Sequence, residues 1–200
     1  MSKLSPGRAT IFLAALAVVS ALLSNYAPWD PWEIFGLGPA RERVPLLPGI
    51  YFGLVLCIGL FLWETKDAIK LVAAFIAVII AWICAWKIAV EIYTVPERFH
   101  LDPAVFGSTS GDIPYLYAIA GFIAGLAGSL ITVAGISFAS RDSRTYGTWI
   151  RTILIGAVAG LLLQFQSTFD SILLLLLVWQ PTIAASIAYG LVKPKSKMMT

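Results

Sequence analysis

Six apolar runs alternate with polar segments along the chain: Ala9 to Tyr26, Leu46 to Trp63, Ile69 to Thr94, Tyr115 to Ala139, Thr148 to Phe165 and Ser171 to Val192. Each is close to the ~20 residues a helix needs to cross ~30 Å of hydrocarbon, and tilt accommodates the spread in length. None alternates strictly between apolar and polar positions, and all exceed the ~10-residue dyad segments of membrane barrels. The pattern predicts an all-α polytopic membrane protein, a bundle of six transmembrane helices in a single domain over residues 1–200. Composition supports this: 12% of residues are charged and 59% hydrophobic, against about a quarter charged in soluble domains.

Charge sets the expected orientation. Lys3, Arg8, Lys66, Lys70, Arg141, Arg144, Arg151, Lys193, Lys195 and Lys197 fall on one side of the runs, and Arg41, Arg43 and Arg98 on the other. The positive-inside rule then places both termini in the cytoplasm. The multi-pass location expected is a bacterial inner membrane, since the start of the chain does not resemble an organelle presequence. Acids run the other way, with Asp30, Glu33, Glu42, Glu97, Asp102, Asp112 and Asp170 outside. That bias solvates the outer loops or concentrates cations near the outer mouth. Lys3 and Arg8 before an apolar run also suit a secretory signal, whose removal would leave five spans. A cut after Ala27 would place Asn25 at the −3 position and Pro28 after the bond, which disfavours cleavage.

Short inner connections make spans two and three, and spans four and five, antiparallel neighbours. The two outer connections, Ala27 to Pro45 and Val95 to Pro114, are long enough for structure of their own. Asp30-Pro31-Trp32-Glu33 supplies an Asp N-cap and Pro at the first helical position, and Asp102-Pro103 repeats the device. Each long loop is therefore expected to carry a short helix, the first held at the headgroup level by Trp29, Trp32 and Phe35. Gly121, Gly125 and Gly128 on span four and Gly156 and Gly160 on span five recur at three or four residues, a pattern that lines one face for close helix packing. Ser129, Thr132 and Gly135 extend that face, which makes span four the expected centre of the bundle. Cys57 and Cys84 fall at matched expected depths and read as packing residues.

Candidate chemistry is sparse. Gln180-Pro181-Thr182 lies near the expected midplane of span six. Pro181 removes one backbone hydrogen bond and displaces the Leu177 carbonyl. A kinked helix with an amide and a hydroxyl at mid-depth is either a plain kink satisfied by its neighbours or a binding site of the kind transporters build in broken helices. Gln164 and Gln166 on span five, and Ser20, Ser24 and Asn25 on span one, are candidates for a path to that point, with Asp30 at its outer mouth. Lys87 and Glu91 lie one turn apart on span three, as an interfacial ion pair or a ligand contact. Lone His100 lacks the partners a zinc site needs, Gly107 to Gly111 departs from a nucleophile elbow at Thr109, and no metal site or cofactor is expected.

With few titratable groups in the spans, catalysis is the weakest reading, and the chain is expected not to be an enzyme. No feature calls for nucleic acid. The leading expectation is a small transporter or substrate-binding membrane subunit that takes a small molecule or ion from outside. In size and topology the chain resembles the substrate-binding subunits of energy-coupling-factor transporters, a likeness that no motif carries. The alternative is an accessory or assembly subunit. Its partners would be the lipid bilayer, other membrane subunits or a second copy of the chain.

Overall fold

The apolar runs fold into six α-helices: α1 (Pro6–Tyr26), α2 (Leu47–Trp63), α3 (Ala68–Tyr93), α4 (Pro114–Ala139), α5 (Tyr146–Gly160), continued by a 3-10 turn (Leu161–Phe165), and α6 (Leu173–Val192). The computed structural model describes residues 5–26, 44–95, 114–140, 144–165 and 172–192, and no strand occurs among them. Five helices are long and apolar enough to cross a membrane, and α2, with 17 residues, is shorter. At 1.5 Å per residue α2 measures about 26 Å. The helices expected in the two long loops, together with Asp30, lie outside the described residues.

Local chemistry sets the starts. The Asp67 carboxylate accepts the Ile69 and Lys70 amide hydrogens at 3.0 and 3.4 Å, satisfying donors that the first turn of α3 leaves open. Thr145 caps α5 by accepting from the Thr148 N–H. Pro6 and Pro48 occupy first turns of α1 and α2, where a missing N–H costs nothing.

The helices close into a ring in chain order. Each packs on its sequence neighbours, α6 returns to α1, and α6 also touches α2 across the middle. Neighbours run antiparallel, as pairs of contacts show: Gly49 on Trp82 and Gly53 on Phe75 for α2 and α3, Gly121 on Gly160 and Gly125 on Gly156 for α4 and α5. The start of α1 and the end of α6 consequently lie at the same end of the ring, with the connection 64–67, the end of α4 and the start of α5.

Two expectations about packing change. The glycines of α4 do not serve one partner: Gly121 and Gly125 meet α5, whereas Gly128 and Gly135 meet Ala85 and Ala77 of α3. A helix wedged between two neighbours needs small residues toward both. Nor is α4 the centre, because α6 is the more enclosed helix, 56% of its span being buried against 50% for α4 and 17% for α3. Its residues Leu176, Trp179, Ile183, Ala184, Ile187 and Ala188 form the spine of the core. The two cysteines also sit at different depths. Cys57 donates to the Leu71 carbonyl at 3.4 Å, and Cys84 lies 13 residues beyond Leu71 on α3, about 20 Å along the axis. The reason is that α3 outruns α2 at the end where Gly49 meets Trp82, so counting inward from each helix end gave a false match.

Candidate functional site: a buried polar layer

Gln180 is fully buried, and neither its amide nitrogen nor its amide oxygen has a hydrogen-bond partner. Among the described residues two more buried side-chain atoms share that condition, Ser20 Oγ and Thr132 Oγ1. Helix register shows how their levels compare. On α1, Leu13 packs at Gly59 and the Phe12 ring stands edge-on to Trp63. Counting along these antiparallel helices sets Ser20 level with Phe52. Gly135 meets Ala77, and Gly49 meets Trp82, so Thr132 stands level with Ile80 and Ile80 with Tyr51. Phe52 in turn touches Trp179, with ring centroids 5.5 Å apart. Counted the other way round the ring, through Ser129 on Ile153 and Thr152 on Ser186, Thr132 stands level with Ala188, about 12 Å along α6 from Gln180. Only Gln180 and Ser20 therefore fall within about one helical turn of a single plane, contributed by α6 and α1. That plane passes through the middle of α3.

An unsatisfied buried polar atom costs about 1–3 kcal/mol. The remaining polar side chains near the layer avoid this cost locally. Ser24 donates to the Ser20 carbonyl at 2.7 Å, and Ser129 donates to the Gly125 carbonyl at 2.7 Å. Trp82, one wall of the neighbourhood, gives its indole N–H to the Pro45 carbonyl and leans on Trp86 at 6.0 Å. Among the described residues only Gln180, Ser20 and Thr132 bury side-chain atoms with unused capacity. The Gln180 amide offers donors and acceptors together, Ser20 adds a hydroxyl at its level, and neither carries charge. Such a set suits a neutral polar molecule, or a cation held by oxygen atoms alone.

The expected site residues are only partly brought together. Thr182 is separated from Gln180 by about 200° of helix rotation. Its hydroxyl donates to the Val178 carbonyl at 2.6 Å, and it lines an apolar groove of about 420 Å³ with Leu154, Val158 and Leu162 between α5 and α6. Pro181 lies inside α6, immediately after Gln180. Asn25 is half-buried at the end of α1, one residue past Ser24, and Gln164 is half-buried in the 3-10 turn. Lys87 and Glu91 are exposed on α3, outside the layer.

A second polar cluster escaped the sequence reading. Arg151 of α5 reaches across to α6, giving Nε–H to Ser186 Oγ at 3.0 Å and Nη2–H to the Ser186 carbonyl at 2.7 Å. Thr152 Oγ1 pairs with the same Ser186 hydroxyl at 2.8 Å, and the guanidinium stacks 4.7 Å from the Tyr189 ring centroid. The cluster is self-contained and ties α5 to α6. Its signal lay in two polar residues on facing helices, which only the register between those helices pairs.

No protein-family model matches the chain, and no curated protein or solved structure matches it either. Among the described residues no group of three His, Cys, Asp or Glu side chains could hold a metal ion.

Proposed function

We propose that this chain crosses the membrane six times, with both ends in the cytoplasm, and binds a small polar molecule or ion taken from the outer face. In this reading it is a non-catalytic transporter or the substrate-binding subunit of one, with the Gln180 layer as its binding site. One observation carries the reading: an amide with unused donors and acceptors is held at the level of Phe52 and Trp179, in the most enclosed helix, next to a proline. A side chain kept only for packing would be apolar there, since membrane helices rarely retain an unpaired polar group without a use. The proline gives α6 a place to bend, as broken helices do around substrates. α2, though short, packs against both α1 and α3, and local thinning or tilt fits its length to the bilayer.

The test is uptake by proteoliposomes of a labelled panel of polyols, small amides and monovalent cations. At least one solute is taken up by the wild type and lost in Gln180→Met, while the fold is retained. Equal uptake of every solute by wild type, Gln180→Met and Asp30→Asn would overturn the proposal.

A second reading, an accessory subunit, rests on α3. Its outward face presents Ile69, Val72, Ile76 and Ile80, all exposed, followed by exposed Lys87 and Glu91. A charged pair on the outside of a weakly enclosed helix suits a neighbouring subunit. Co-purification in mild detergent separates the two: a partner with a nucleotide-binding motor favours transport, and a larger non-transport complex favours the accessory role.

A further inference from the structure

We propose that the groove at the start of α5 is a binding site for an anionic phospholipid, with Arg144 receiving the phosphate. The groove measures about 320 Å³ and is lined by Arg144, Tyr146, Trp149, Ile150 and Ile153. Ser137 of α4 anchors it from behind. Ser137 accepts the Arg144 Nε–H through its backbone carbonyl at 2.7 Å and the Trp149 indole N–H through its hydroxyl at 2.9 Å. One edge of the guanidinium and the plane of the indole are therefore fixed on the same residue. Arg144 makes no other hydrogen bond or ion pair among the described residues, so the Nη edge of an exposed guanidinium is left for an outside acceptor.

Position and composition select the occupant. Arg144 stands just before the first turn of α5, where a spanning helix meets the headgroups, and Tyr146 and Trp149 are the residue types that settle at that level. Ile150 and Ile153 continue the groove one to two turns toward the hydrocarbon, giving an apolar track beneath a cation. A free phosphate would use the cation and leave the track bare; a phospholipid fills both. Among the described residues no carboxylate lines the groove, and Arg8, Lys66, Lys70, Arg144 and Arg151 all lie toward this end, so a net negative headgroup is preferred to a zwitterionic one. The site is separate from the Gln180 layer and does not depend on it.

The experiment delipidates the full chain in mild detergent, offers equal amounts of phosphatidylglycerol and phosphatidylcholine, and counts retained lipids by native mass spectrometry. Wild type is expected to favour phosphatidylglycerol by about fivefold or more, the scale of one interfacial arginine. Arg144→Gln brings the ratio near one, Ile150→Trp fills the track and removes retained lipid of both kinds, and Arg8→Gln, an exposed arginine at the same end, leaves the preference intact. Thermal unfolding of each variant is recorded alongside, and Ile150→Trp carries the test if Arg144→Gln does not fold. Equal retention of the two lipids by wild type overturns the proposal, as does a wild-type ratio in folded Arg144→Gln or unchanged retention in folded Ile150→Trp.

Discussion

At Gln180 stability and function pull in opposite directions. Methionine matches the length of glutamine and carries no amide, so Gln180→Met removes two buried atoms that lack partners. The variant is expected to unfold at higher temperature, gaining about 1–3 kcal/mol, while it loses ligand binding. A thermal melt in detergent checks this, and a destabilised variant would mean that the amide is bonded in the native protein. Ser186 behaves oppositely because its hydroxyl is fully used, by Arg151 and Thr152. Ser186→Ala should cost about 1–3 kcal/mol by stranding the Arg151 Nε–H and leaving the Thr152 hydroxyl without its partner, read in the same melt. The sequence exposed Gln180 as an anomaly because an amide followed by proline stands out in an apolar run. It could not show that Thr182 faces the other way and satisfies itself on Val178, nor that Ser20 shares the level of Gln180. Those facts depend on helix rotation and on register between chain-distant helices.

Among the elements, the α4–α5 pair is the most constrained by shape. A Cβ added at Gly121, Gly125 or Gly160 would overlap a backbone carbonyl of the facing helix, and one at Gly156 would overlap Ser129. Neither helix can yield without parting from the other. Gly156→Ala is therefore expected to destabilise by roughly 3 kcal/mol or more, whereas Gly147→Ala, with open space around it, should change the melting temperature little. Close packing of this pair was readable from the three- and four-residue glycine spacing. The division of α4 between α5 and α3 was not, because Gly128 continues the same stripe and only the neighbour it meets distinguishes it. Helix boundaries were legible to within a few residues since hydrophobic runs stop where polar residues begin.

On the scale of the whole molecule, an even ring of antiparallel helices gathers the start of α1, the end of α6, the connection 64–67 and the described basic residues other than Lys87 at one end. Gln180 and Ser20 then lie on one level inside it. Everything proposed for the Gln180 layer and the lipid groove depends on that ring crossing the bilayer with every helix, α2 included. Single cysteines in a Cys57→Ala, Cys84→Ala background measure it directly, through labelling by a membrane-impermeant maleimide. In intact cells, Val44→Cys and Phe165→Cys should label while Ser5→Cys, Thr65→Cys and Gly147→Cys stay protected, and inside-out vesicles should reverse the pattern. Labelling of Val44→Cys and Thr65→Cys from the same side would show that α2 does not cross, and would contradict the account.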